Sequence, residues 1–334
     1  MPQDRSQQLI SFRLDLTKKF CRLFFSSIMR IGLLFCGQGA QKIGMGKDFF
    51  EHYPLAKDLY LEADKHLHSP LSQLSFHGPQ DELAQTLNCQ PSLFVFGYTV
   101  FRILHQEIKG IDILGMGGLS LGELTAYAAA GSFDFFTGLE LVKQRARLIH
   151  EASEKNPGKM VALIGSSRKQ AESIAARSSC EVANYNSPDQ QVLSGSAASI
   201  TKAVKLAHAE GIKKVIPLEV SGPFHSSFME EPSRSFYDLL KEVDLKMPSV
   251  PVVTNLRASP ARDVDEIRYT LSKQICKAVL WEESLHFMLD WGIELFIEVS
   301  PRKIFGNFLK KIAPHIRCLT LSNVESINAL KNEL

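Results

Sequence analysis

Residues 111–130 constrain this fold more tightly than any other stretch. Residues 111–116 predict a strand, which Gly117 and Gly118 end. Residues 121–130 are Ala-rich and predict a helix that stops at Gly131. Between the two stands Gly118-Leu119-Ser120-Leu121-Gly122, a GxSxG pentapeptide in strand–turn–helix context. A strand passing through a tight turn straight into a helix belongs to a layered α/β protein. The glycines allow a sharp turn that few side chains tolerate. Ser120 then stands at a helix N-terminus, where free N–H groups and the positive dipole end favour a developing oxyanion. The pentapeptide alone leaves two readings: Ser120 is a nucleophile, or it is a capping serine in a Gly-rich turn.

The rest of the chain extends this rhythm and interrupts it once. Residues 33–36 predict a first strand, followed by the loop Gly37-Gln38-Gly39-Ala40-Gln41. Helical patterns follow near 57–66, 80–88, 91–107 and 138–152. The order then becomes strand 160–164, helix 168–177, strands 182–185 and 191–193, helix 199–210 and strand 214–220. This is the β-α-β-β-α-β order of a ferredoxin-like unit, which can form a small compact domain on its own. Strands at 250–254, 295–299 and 318–321, with helices at 264–276 and 304–311, resume the first pattern. The reading is a mostly parallel sheet covered on both faces. Its core spans 29–155 and 221–334, and the ferredoxin-like subdomain takes 156–220.

Residues 1–28 do not fit either unit. They carry Arg5, Arg13, Lys18, Lys19 and Arg22 against Asp4 and Asp15, and no small-residue cleavage site follows their apolar end. They read as a floppy tail, or as residues upstream of a true start at Met29.

Charge and cysteine usage narrow the function classes. Lys+Arg 38 against Asp+Glu 36 leaves no basic excess of the kind that marks a nucleic-acid binder. The six cysteines are scattered without a CxxC pair, which argues against a thiolate metal site and for a reducing compartment. No apolar run reaches the roughly 18 residues a membrane span requires.

Two further residues stand out. His225, in Gly222-Pro223-Phe224-His225-Ser226, follows strand 214–220 at a strand-to-loop position, where α/β sites assemble. It is a base for the serine or a surface histidine. Arg145 shares the apolar face of helix 138–152 with Leu141, Val142, Leu148, Ile149 and Ala152. An inward guanidinium needs a partner. That partner is an internal carboxylate, backbone carbonyls or a substrate carboxylate held by the bidentate fork.

Several motifs in order resemble the malonyl-CoA:acyl carrier protein transacylase family. They are Phe35-Cys36-Gly37-Gln38-Gly39-Ala40-Gln41, Gly118-Leu119-Ser120-Leu121-Gly122-Glu123, Gln144-Arg145, Asn184-Tyr185-Asn186-Ser187-Pro188, Val220-Ser221-Gly222-Pro223-Phe224-His225 and Gln274. The resemblance runs from about Ile31 to about residue 315, as several ordered motifs support better than one. It implies a hydrolase-like α/β core with a ferredoxin-like subdomain. It also implies malonyl transfer from malonyl-CoA to the phosphopantetheine thiol of acyl carrier protein, supplying fatty-acid elongation. Ser120 resembles the nucleophile, His225 its base, and Gln274 the residue whose main-chain carbonyl orients the imidazole. Arg145 resembles the group that grips the malonyl carboxylate, and Gln90 a glutamine lining the pocket. The N–H groups of Gln38 and Leu121 resemble the oxyanion hole. No metal or cofactor is implied, and a cytoplasmic monomer is expected, or an organellar form if residues 1–28 are a transit peptide.

The chain departs from the family pattern at Leu119, often His, at Cys36, often Pro, and at Asp189, often Gly. Ser300-Pro301-Arg302 replaces a usual Gly-Pro-Gly. These changes bear on loop shape and partner contacts more than on chemistry. The competing readings are an α/β-hydrolase esterase that uses water, a non-catalytic carrier-docking module, and an acyltransferase for a bulkier malonyl derivative. For carrier docking, Lys213-Lys214 and Lys310-Lys311 are candidate basic contacts, or simply solvated surface.

Overall fold

The computed structural model describes residues 29–220 and 222–334, so the reading of residues 1–28 lies outside it. In chain order the elements are β1 (Ile31–Phe35), α1 (Lys47–His52), α2 (Pro54–Leu67), α3 (Leu71–His77), α4 (Gln80–Ala84), α5 (Thr86–Glu107), β2 (Ile113–Gly118), α6 (Leu121–Ala129) and α7 (Phe135–Lys155). There follow β3 (Gly158–Ile164), α8 (Arg168–Ser178), β4 (Glu181–Ser187), β5 (Gln190–Ser196), α9 (Ala197–Ala209) and β6 (Lys214–Pro217). After a 3₁₀ turn at Ser227–Met229 come α10 (Glu230–Lys241), β7 (Val252–Val253), α11 (Val264–Lys273), β8 (Val279–Leu280), α12 (Trp281–Asp290), β9 (Leu295–Val299), α13 (Phe305–Ile312), β10 (Arg317–Leu321) and α14 (Val324–Glu333).

Two sheets organise them. The first has the order β10-β9-β1-β2-β7 and is parallel throughout. β1 and β9 are buried along their whole length, as strands covered on both faces must be. The second sheet has the order β6-β3-β5-β4-β8. Its first four strands pair antiparallel, while β8 joins β4 in parallel, with Asn184 opposite Val279 and Tyr185 opposite Leu280. β8 comes from the chain after the insert, so the ferredoxin-like sheet is completed by a strand of the core.

Strand alternation decides what the second sheet faces. Val161, Leu163 and Leu193 pack against Ala171 and Ile174 of α8 and Ala203 of α9. Met160, Ala162, Ala183 and Val192 form the opposite face, with Leu218, Val220 and Phe224 against it. That second face looks into the cleft between the sheets.

Several boundaries differ from the sequence reading. β2 runs through Gly118 rather than ending before Gly117, because Gly117 and Gly118 pair with Leu34 and Phe35. β7 holds only two residues where five were expected, since the chain folds back there, with Thr254 N–H donating to Ser259. Helices α10 and α12 were not anticipated. The two motif glycines also act differently from expectation. The left-handed conformation falls on Ser120 itself, at φ 54°. The glycines permit close approach instead: a Cβ on Gly118 would lie 2.0 Å from the Gly122 carbonyl, and one on Gly122 would lie 2.1 Å from Phe35 O. α6 therefore starts directly on the ends of β1 and β2.

Candidate active site

The C-terminal ends of β1 and β2 open into a cavity of about 250 Å³ between the two sheets. In an open α/β sheet this is where ligands bind. Gln38, Gln90, Ser120, Leu121, Arg145 and His225 all line it. Gln274 is fully buried just behind them, immediately after α11.

Ser120 Oγ lies 2.9 Å from His225 Nε2. His225 Nδ1 lies 2.6 Å from the main-chain carbonyl of Gln274. A carbonyl only accepts, so Nδ1 carries the proton and Nε2 presents its lone pair to the serine hydroxyl. The His225 N–H donates to Ile275 O at 3.1 Å, which fixes the ring from the backbone side as well. His225 sits at φ 57°, so both members of the pair occupy the left-handed region. Burial, and secondly the nearby Arg145 charge, pull the imidazole from its ordinary range down to about 4. It is therefore neutral, and able to accept a proton, throughout the neutral range.

Arg145 is 2% exposed. Its Nη1 donates to Gln90 Oε1 at 2.7 Å, and its Nη2 to Ser120 Oγ at 3.0 Å and Gln274 Oε1 at 3.2 Å. Its Nε has no partner. Neither the internal carboxylate nor the backbone carbonyls weighed from the sequence appear among these acceptors; they are two amides and a hydroxyl. Burial lowers the guanidinium to about 10, opposed by the charge of Glu123. A buried cation held only by neutral acceptors is an unbalanced charge that an incoming anion would complete.

Gln38 and Leu121, whose N–H groups the family resemblance assigns to the oxyanion hole, both line the cavity. Leu121 is the first residue of α6, so its N–H is one of the four a helix cannot satisfy internally. The Ser120 N–H, by contrast, is taken by Asn255 Oδ1 at 2.6 Å. Gln38 follows β1, and its side chain donates to Thr86 Oγ1 at 3.3 Å.

The sequence reading missed Asn255 and the role of Glu123. Glu123 follows the pentapeptide and is completely buried, with its carboxyl pushed up to about 8 by desolvation. Asn255 carries no motif; only its place two residues past a short strand could have drawn attention to it. Of the basic pairs weighed as docking contacts, Lys311 is engaged with Asp189 at 2.9 Å. Cys36 is buried, and desolvation pushes its thiol up to about 12. Among the described residues, no group of three or more His, Cys, Asp or Glu side chains could hold a metal ion. Also among them, no helix is long and apolar enough to cross a membrane.

Comparison with known proteins adds independent findings. A family model described as an acyl transferase domain matches residues 33–313. The chain is 35% identical over 303 residues to a malonyl CoA-acyl carrier protein transacylase of Bacillus subtilis strain 168, covering 89% of this chain and 95% of that protein. An acyl-carrier-protein S-malonyltransferase from Bartonella henselae superposes with TM-score 0.87 at 32% identity, covering 91% of this chain and 99% of that one. A malonyl-transacylase solved in complex with a type II PKS acyl-carrier protein superposes with TM-score 0.88 at 28% identity, over 91% of this chain and 100% of that one.

Proposed function

The chain belongs to the acyl transferase family, and on that premise we propose that it moves malonyl from malonyl-CoA to the phosphopantetheine thiol of acyl carrier protein. The transfer is ping-pong. Ser120 Oγ attacks the thioester carbonyl while His225 Nε2 takes its proton. The Gln38 and Leu121 N–H groups hold the charge that grows on the carbonyl oxygen. As the carbonyl reforms, the C–S bond breaks and His225 returns the proton to the departing CoA sulfur. A malonyl ester remains on Ser120. The carrier thiol then attacks that ester, His225 takes the thiol proton and passes it to Ser120 Oγ, and malonyl leaves as a thioester. Gln274 orients the imidazole through its carbonyl, as a third member that need not be a carboxylate.

One observation carries the choice of acyl group: the Arg145 guanidinium lies 3.0 Å from the nucleophile and lacks a carboxylate partner. In malonyl one methylene separates carboxylate from thioester, so a carboxylate on Arg145 keeps the reacting carbon beside Ser120. A longer diacid would carry that carbon past the serine, and acetyl would leave the buried charge unanswered. Gln90 acts by holding Nη1.

Serine, imidazole and two N–H groups supply every proton and charge this sequence needs, without a metal or cofactor. The working form is a cytoplasmic monomer serving fatty-acid elongation, and its partner is an acidic carrier protein rather than nucleic acid or membrane. Intact mass after incubation with malonyl-CoA tests the reading. The native chain gains one malonyl group and Ser120→Ala gains none; a Ser120→Ala chain that still gains the mass refutes the nucleophile.

A further inference from the structure

We infer that Asn255 is a positioning residue for the nucleophile turn: its side-chain amide continues the β-ladder where the backbone of β7 leaves it, and so sets the direction of Ser120 Oγ and the Leu121 N–H. The inference rests on Ser120 being the nucleophile. β2 and β7 pair in parallel through Met116–Val252 and Gly117–Val253. In a parallel ladder one residue donates to the carbonyl before its opposite residue and accepts from the N–H after it. Asn255 reproduces that pattern around Leu119 with its side chain. Nδ2 donates to Gly118 O at 2.7 Å, and Oδ1 accepts the Ser120 N–H at 2.6 Å. The amide orientation is dictated by its partners, since a carbonyl only accepts and an N–H only donates.

Asn255 is itself held from two sides. Its N–H donates to Glu123 Oε2 at 3.1 Å, and its carbonyl accepts the Leu280 N–H at 2.8 Å. It is fully buried, and all four of its polar groups are used. The left-handed Ser120 backbone costs on the order of 1–3 kcal/mol and persists only when its surroundings hold it. The Asn255 amide bonds both sides of that residue. By occupying the Ser120 N–H it also leaves the next N–H, that of Leu121, to face the cavity.

The test compares Ser120 reactivity in Asn255→Ala and Asn255→Asp with the native full chain. Two readouts are used: labelling by a neutral fluorophosphonate probe, and malonyl adduct formation by intact mass. Loss of positioning lowers the labelling rate of Asn255→Ala by about 10²-fold, the scale of a nucleophile misplaced by about 1 Å. Asn255→Asp gives a signature that a merely structural role would not. A protonated Asp has one donor and one acceptor and reproduces the amide; an ionised Asp repels Gly118 O.

Glu123 faces position 255 directly, while Arg145 and His225 reach it through Ser120. Dividing by the native rate at each pH removes their common titration. Burial at position 255 raises a carboxyl above its ordinary value of about 3.9, so the Asn255→Asp ratio to native should fall at least about tenfold between about pH 4 and about pH 9. A flat ratio overturns the inference, as does Asn255→Ala labelling within about threefold of native. If Asn255→Ala does not fold, the Asn255→Asp ratio decides alone. A native chain that labels with the probe but takes no malonyl overturns the proposed donor, and the labelling ratios still decide Asn255.

Discussion

Arg145→Met removes the guanidinium charge while keeping a long apolar stem. In the free protein Nη2 donates to Ser120 Oγ and Gln274, Nη1 donates to Gln90, and Nε has no partner. Nε–H and one Nη2–H form one edge of the guanidinium, the fork a carboxylate accepts side-on. Malonyl binding would fill the empty Nε position and replace the neutral serine oxygen on Nη2 with an anionic one. At about 1.5–3 kcal/mol per charge-assisted bond, less about 1 kcal/mol for the bond given up, the net is about 3 kcal/mol. At about 1.4 kcal/mol per decade, kcat/KM for malonyl-CoA should fall about 10²-fold.

Acetyl-CoA makes no such bonds, so its kcat/KM should stay within about threefold or rise, because the variant has no charge left unpaired. The assay is kcat/KM for both donors with holo carrier protein, alongside thermal melting and fluorophosphonate labelling of Ser120. An unchanged malonyl-to-acetyl ratio in a variant that melts and labels like the native protein would refute the carboxylate role of Arg145.

Other expectations follow from the same geometry. Since His225 must be neutral to accept the serine proton and is held near pH 4, native kcat/KM should stay level through neutrality and fall only toward that value. Removing the Arg145 charge makes the imidazolium less unfavourable, so in Arg145→Met the acid limb moves up toward the ordinary histidine range; a native limb already in that range contradicts the assignment. Depression of a histidine pKa in the folded state means the unfolded chain binds more protons below the ordinary value, so stability should decline as pH falls from about 6.5 to about 4. A flat urea midpoint across that window would argue against a buried neutral imidazole. Glu298, fully buried, accepts the N–H groups of Ile304, Phe305 and Gly306 at 2.6, 3.0 and 3.3 Å. Glu298→Ala strands those donors and should cost about 3–5 kcal/mol in urea unfolding, and a loss under about 1 kcal/mol would show that the α13 start is held by other means.

The site was legible where one residue carries its own signal. Ser120 declares itself by a turn between two strongly patterned elements, and Arg145 by falling on the wrong face of an otherwise apolar helical stripe. What Arg145 meets is set by α5 and by the residue after α11, and helical periodicity says nothing about either. Gln274 holds the imidazole through a main-chain carbonyl, a group every residue has, so only the family resemblance pointed to it. Asn255 was invisible for a related reason: its importance comes from lying beside β2, and a two-residue strand leaves no alternation to read. α10 and α12 were readable in principle, since Phe236, Leu239 and Leu240 keep helical spacing, as do Trp281, Leu285 and Met288. The exchange of roles at the turn, with strain on serine and closeness on glycine, follows from α6 packing onto Phe35, a tertiary fact.

The position of β1 has a consequence for the order in which the protein comes into being. β1 lies between β2 and β9, with Ile31 beside Leu295, so β9 is made long after β2. The base, its supporting carbonyl and the asparagine beside the turn likewise all emerge after the insert. A ribosome-bound chain that has exposed Ser120 and Arg145 thus has neither a proton acceptor nor a finished sheet, and closing such distant pairs is slow compared with local helix formation. Acylation competence therefore waits for the chain beyond the insert, and a partly made chain leaves malonyl-CoA untouched.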